Sequence, residues 1–182
     1  MINHSGTIDL QTERLLLRNF RTEDADDIYY GWTSDERVAK YTSWSAHPNI
    51  EATKGYVEYV LSQDSLHSYN WIIECEGKLI GTINVCYLDD NIEVAGFAYC
   101  LAYNSWGKGY ATEALRAVIN LLFEIGYRKI IAGCDIDNIG SKRVLEKVGM
   151  KQEACLRQNI MRKDGTYGDD LQFGLFIDEF IK

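Results

Sequence analysis

The stretch Asn104-Ser105-Trp106-Gly107-Lys108-Gly109-Tyr110-Ala111-Thr112-Glu113-Ala114 places a glycine-rich turn directly before a helix. Uncapped N–H groups of such a turn converge on one point, where the helix dipole also favours negative charge, so the run reads as a phosphate seat. Upstream lies the apolar run Phe97 to Leu101. Downstream, Leu115, Val118, Leu122 and Ile125 recur at spacings of three, four and three, the apolar stripe of an amphipathic helix. The order is strand, nest, helix.

Several cofactors use such a seat. The Gly-x-x-x-x-Gly-Lys-Ser/Thr run of a P-loop is absent. A dinucleotide fingerprint needs a third small residue where this chain has Thr112. It also lies in the first strand-to-helix unit and is followed about twenty residues on by an acid. Here the unit is in mid-chain, and downstream acids such as Glu124 are still on the same helix. Both readings weaken.

Working outward, Leu15 to Phe20 reads as a strand, Glu23 to Trp32 and Glu51 to Leu61 as helices, and Trp71 to Cys75 with Leu79 to Tyr87 as a hairpin turning at Glu76-Gly77-Lys78. After the long helix come a break at Gly126, a strand from Ile130 to Cys134, and a short helix from Gly140 to Val148 stopped by Gly149. Strands around Met150 to Arg157 and Asp170 to Phe176 close the chain. This gives an α/β (α+β) chain with a mixed sheet of about seven strands and about four helices. No repeat, low-complexity tract or linker interrupts it, so one domain is expected over 8–180, with 1–7 as a short N-terminal extension.

At 182 residues and 46% apolar content, the chain suits a single domain with a sizeable core. No apolar stretch approaches the roughly 20 residues of a membrane span, and Met1-Ile2-Asn3-His4-Ser5 lacks the basic start and apolar core of a signal peptide. A cytoplasmic location with no membrane partner is expected. Five cysteines stand apart, with no Cys-x-x-Cys and no clustering with histidine, so neither disulfides nor a metal site is indicated. A formal charge of -8 argues against nucleic acid and suits a basic acceptor. Residues 1 to 37 hold eight acids against four arginines, half of that excess, which is either a solvated face or a surface that attracts amines.

The glycine run resembles the pyrophosphate loop of the GCN5-related N-acetyltransferases (GNAT), whose pattern is Gln or Arg, two residues, Gly, one residue, then Gly or Ala. Trp106 takes the first place, with Gly109 and Ala111 at the fourth and sixth. Trp-Gly-x-Gly-Tyr-Ala-Thr-Glu-Ala looks like the branch that acetylates the N-termini of ribosomal proteins (RimJ/RimL-type). Other segments agree in the same order: Thr12 to Arg18 with its first strand, Asp137 to Ser141 and Val144 to Met150 with its second cofactor-binding helix, and Asp164 to Asp169 with its closing turn.

The resemblance implies an acetyl-CoA-dependent N-acetyltransferase with a mostly antiparallel GNAT sheet and direct transfer in a ternary complex. A strand that splays open before the loop would pair with the pantetheine arm, so Cys100, Leu101 and Ala102 would lie along it. Trp106, Gly107, Lys108, Gly109, Tyr110, Ala111 and Thr112 would hold the diphosphate. Asn138 would bond the arm, and Ser141, near the sulfur, would relay a proton to the leaving thiolate. Either residue also makes a good helix cap. Cys100 is readable as a nucleophile or as a small apolar filler. The tyrosine that often serves the superfamily as acid is replaced by Leu145, and a tyrosine common in the branch's last strand is replaced by Phe173. Glu93, Asp169 and Asp170 are candidate bases, each open to a structural explanation.

Substrate choice falls to the early helices and their loop, where Trp32, Tyr41, Trp44 and Tyr56 gather. The expected partner is an amine acceptor, a basic protein N-terminus or a small amine. The alternatives are a polyamine or aminoglycoside acetyltransferase and a non-catalytic acyl-CoA-binding regulator; homo-oligomerisation is left open.

Overall fold

The computed structural model describes residues 1–180. Strands β1 (Leu10–Gln11), β2 (Leu15–Arg18), β3 (Asn70–Cys75), β4 (Lys78–Asp89), β5 (Val94–Leu101), β6 (Lys129–Asp135), β7 (Lys151–Met161) and β8 (Tyr167–Phe176) form one sheet in the order β1-β2-β3-β4-β5-β6-β8-β7. Every neighbouring pair is antiparallel except β5 with β6. Helices α1 (Ala25–Ile28), α2 (Glu36–Ala39), α3 (Ile50–Leu61), α4 (Tyr110–Glu124) and α5 (Ile139–Lys147) cover it.

Among the described residues the sheet has eight strands where about seven were expected, and there are five α-helices where about four were expected. The additions, β1 with two residues and α2 with four, are too short to show a period. The helix expected over Glu23 to Trp32 is three pieces: a 3-10 turn Thr22–Asp24, α1, and a π turn Tyr29–Thr33. Hydroxyls loosen its end. Thr33 Oγ1 donates to the Ile28 carbonyl at 3.3 Å and Ser34 Oγ to the Tyr29 carbonyl at 2.7 Å, competing with the helical ladder. The β3–β4 hairpin turns on Glu76 (φ 50) and Gly77 (φ 74), the pair of positive φ values that a two-residue primed turn requires.

The two faces of the sheet carry separate cores. On one face Leu115, Val118 and Leu122 of α4 and Leu145 of α5 pack with Leu17, Ile83, Phe97, Ile130 and Phe173. On the other, Ile28, Trp32 and Val57 pack with Phe20 and Ile72, joined by Trp44, Tyr56, Cys100 and Ala102. Leu145 and Phe173 are therefore core residues, 0% and 1% exposed. Residues 1–7 lie against the end of the sheet: Asn3 N–H donates to the Ile125 carbonyl, Ser5 N–H to Tyr69 Oη, and Thr7 Oγ1 to the Ser68 carbonyl.

Candidate active site

Strands β5 and β6 pair only over Val94↔Lys129, Ala95↔Ile130 and Gly96↔Ile131. Beyond Gly96 they part. β5 stays with β4 as far as Leu101, while β6 stays with β8 as far as Asp135. Along β5 the Ala102 N–H donates to the Ile80 carbonyl, so by antiparallel alternation Cys100 also faces β4, and Tyr99 and Leu101 turn their amides into the opening. The Leu101 carbonyl is taken there by Trp106 Nε1 at 2.8 Å.

Immediately after β5 comes the glycine turn. Gly107 (φ 74) and Gly109 (φ 83) both occupy the left-handed region, and space above Gly107 is open. Gly109 is the N-cap of α4 and supplies no side-chain cap; the first intrahelical bond is Glu113 N–H to the Gly109 carbonyl. The preceding amides have no acceptor within the helix and converge at its positive end. Arg14 braces the turn from behind. Its Nη1 donates to the Lys108 carbonyl at 3.1 Å, its Nε to Glu113 at 2.7 Å, and its guanidinium lies 4.6 Å from the centre of the Tyr110 ring. Glu113 also accepts from Thr12 Oγ1 and the Arg14 N–H, tying the β1–β2 turn to the helix start. Lys108 is exposed, Ala111 is buried, and Thr112 is half-buried.

Asn138 caps α5: its Oδ1 accepts from the Ser141 N–H at 3.1 Å. Ser141 Oγ lies 3.1 Å from Tyr99 Oη. Cys134 stands beside Ser141 on the same face. Burial pushes the Tyr99 hydroxyl up to about 12, against the effect of its hydrogen bond with Ser141, and pushes the Cys134 thiol up to about 11. Both are protonated at neutral pH. Tyr99 was missed by the sequence reading, yet alternation along β5 puts it with Phe97 and Leu101 on the α4–α5 side. Arg14 was missed because its partners lie 94 and 99 residues away.

The opposite face of β5 carries Ala98, Cys100 and Ala102. Ala98 is exposed although β5 is a central strand, so this face is open there. Cys100 packs against the Trp44–Tyr56 side, and burial pushes its thiol up to about 12, which suits a filler rather than a nucleophile. Tyr56 stands beside Cys100 and Thr82. The β7–β8 turn reaches across to this side. Lys163 Nζ donates to the carbonyls of Ala39 and Trp44, and Arg162 grips Asp135 through two bonds of 2.7 Å.

The other candidate bases have structural partners. Asp169 Oδ1 accepts from the N–H of Gln158, whose φ of 53 marks the bulge in β7. Asp170 accepts from Asn159 Nδ2 at 3.1 Å. Glu93 (φ 54) uses its carbonyl to receive the Arg128 and Lys129 amides, and its carboxylate lies 3.9 Å from the Met1 ammonium. Trp32 and Tyr41 lie apart from one another in burial: Trp32 is core, 1% exposed, and Tyr41 is half-buried.

Residues 14–151 match the acetyltransferase (GNAT) domain. The chain is 30% identical over 179 residues to the uncharacterized N-acetyltransferase YnaD of Bacillus subtilis, covering 94% of this chain and 98% of that one. The crystal structure of a GNAT-family acetyltransferase from Bacillus anthracis superposes with a TM-score of 0.83 at 26% identity, covering 94% of this chain and 100% of the other. RimL, a ribosomal L7/L12 alpha-N-protein acetyltransferase solved with coenzyme A, gives a TM-score of 0.85 over 94% and 99% of the two chains; at 18% identity it attests the fold. With an uncapped glycine nest, a parted sheet and a domain match over most of its length, the chain belongs to the GNAT acetyltransferase family and is an N-acetyltransferase.

Proposed function

We propose that this acetyl-CoA-dependent enzyme acetylates the primary amine at a protein or peptide N-terminus, of the ribosomal-protein type. The observation that carries the reading is the parting of β5 and β6 after Gly96 beside the uncapped turn at Gly107 and Gly109. An acyl carrier with a diphosphate and an extended amide-bearing arm fits both features at once. The exposure of Ala98 on the far face leaves room for a chain end to approach. The fold of RimL and the acidic balance of residues 1 to 37 favour a protein acceptor. The five free cysteines suit a reducing cytoplasm.

Acetyl-CoA, when bound, supplies an activated acyl group as a thioester. The chain does the rest. Amides from Gly107 to Thr112 would hold the diphosphate, the Trp106 amide being spent on the Tyr103 carbonyl, and the edge at Cys100, Leu101 and Ala102 would flank the arm. The Tyr99 and Leu101 N–H groups stand ready to stabilise negative charge on a carbonyl oxygen in the opening. Asn138 has spent its oxygen on the helix cap and keeps its Nδ2 to donate. Ser141, backed by Tyr99, gives a proton to the departing thiolate.

The test is thiol release with a panel of serine- and alanine-led peptides, polyamines and aminoglycosides. Preference for the peptides supports the reading. Turnover confined to small amines would move the chain to that class, and tight acetyl-CoA binding with no transfer would make it an acyl-CoA-binding regulator.

A further inference from the structure

On the open face of β5, one loop side chain is held far more firmly than its position requires. His47 donates its backbone N–H to the Thr33 carbonyl at 2.7 Å, and Pro48 after it confines its backbone to extended geometry. The rings of Trp44 and Tyr56 flank it at 5.8 and 6.3 Å between centroids. Both rings belong to the cluster that also contains Cys100 and Ala102. The imidazole is half-buried and so still reachable from solvent.

Its hydrogen bonds fix its tautomer. His47 Nδ1 lies 2.7 Å from Thr53 Oγ1, Thr53 Oγ1 lies 2.8 Å from Thr33 Oγ1, and Thr33 Oγ1 reaches the Ile28 carbonyl at 3.3 Å. Thr33 and Thr53 are 3% and 0% exposed. Each hydroxyl has a single proton, and a carbonyl only accepts. A proton reaches all three contacts in only one way: Thr33 donates to Ile28, Thr53 donates to Thr33, and His47 Nδ1–H donates to Thr53. Nε2 is then left with its lone pair, on the ring edge away from Thr53.

Resting on the acetyltransferase reading above, we propose that His47 is the general base, its Nε2 taking a proton from the incoming ammonium. The amine arrives as R–NH3⁺; one N–H bond breaks, the proton goes to Nε2, and the freed pair attacks the thioester carbonyl. As the C–N bond forms and the C–S bond breaks, His47, its first proton already given to water, takes the second amine proton as well, and the thiolate takes one from Ser141 Oγ, which is in turn reprotonated, ultimately from water. His47 returns its proton to water. Burial lowers the His47 pKa from its usual value, keeping it neutral at pH 7. The titratable neighbours do not oppose this. Tyr56 on α3 and Cys100 on β5 stay protonated because burial raises both, and the Lys163 ammonium is tied to the Ala39 and Trp44 carbonyls.

The experiment pairs ¹⁵N NMR of the free protein, which has three histidines, with kinetics of His47→Gln and His47→Ala on whichever panel amine the wild type acetylates fastest. Expected are an Nδ1–H tautomer that changes in Thr53→Val, and a titration below the ordinary value of about 6.5. For both His47 variants kcat should fall by about 10² to 10⁴-fold with acetyl-CoA affinity unchanged, and added imidazole should restore part of the His47→Ala rate. The acid limb of the wild-type kcat/KM profile, where His47 becomes protonated, should vanish in both. An Nε2–H tautomer, or wild-type kcat in both variants, overturns the assignment while leaving the acetyltransferase reading intact. A wild type that acetylates no amine in the panel overturns both.

Discussion

Tyr99 Oη and Ser141 Oγ stand 3.1 Å apart, joining the parted strand β5 to the first turn of α5. If Ser141 donates to the leaving thiolate, this contact lets Tyr99 replace the proton. Ser141→Ala should lower turnover about ten-fold to a thousand-fold, with little change in acetyl-CoA affinity. Tyr99→Phe should cost less, and the double variant less than the product of the two, as expected of groups acting in one chain. Single-turnover thiol release and a separate cofactor titration read this directly; full activity in Ser141→Ala removes the pair from the chemistry.

Gly109 sits at φ 83, and a Cβ built there would come within 3.4 Å of Arg14 Nη2. Valine at this position is strained and puts a side chain beside the converging amides. Gly109→Val should abolish acetyl-CoA binding by calorimetry, while the far-ultraviolet spectrum shows the fold retained. Unchanged affinity would move the diphosphate elsewhere.

Arg18 and Asp24 form a two-pronged pair, at 2.8 and 2.9 Å, with side chains only 6% and 5% exposed. Glu74 on β3 shares the same guanidinium at 3.1 Å. Asp24→Ala leaves a buried cation with half its partners, so it should destabilise the fold by about 3–5 kcal/mol in urea unfolding. Replacing the exposed pair Lys54–Glu51 serves as the control and should change stability by under about 1 kcal/mol.

Asp135 is buried, and hydrogen bonds from Arg162 hold its carboxyl below the usual range, against the opposing effect of burial. The folded pKa lies below the unfolded one, so the folded state binds fewer protons in that window. The contribution is complete above the unfolded value of about 3.9 and is lost as pH falls through the folded value. Urea midpoints measured from about pH 6 down to pH 2 should fall in this range, and Arg162→Ala should flatten that part of the curve.

Strand and helix periods, the glycine turn and the apolar runs were legible in the sequence because they are local. They located β2 to β8, α3, α4 and α5 within a few residues. What local pattern could not carry was the partnership of residues far apart. The 3-10, α and π pieces between Thr22 and Thr33 replace one helix because hydroxyls at Thr33 and Ser34 capture carbonyls of the preceding turn. Glu113 was read only as a letter of the glycine run, whereas it anchors Thr12 and Arg14 from a distance of about a hundred positions.

By itself the sequence determined the local parts of the proposed diphosphate seat, a glycine turn directly before an amphipathic helix, because both are written in neighbouring residues. Tertiary structure alone decided how the rest assembles around it. After Gly96 β5 leaves β6, β5 continuing beside β4 and β6 beside β8. Tyr99 there meets Ser141 on one face, while on the other Ala98 is exposed and Cys100 and Ala102 pack with the cluster that includes Trp44 and Tyr56. Strand partnership is settled by burial across the whole sheet, a sum over distant residues that no stretch of neighbouring letters contains.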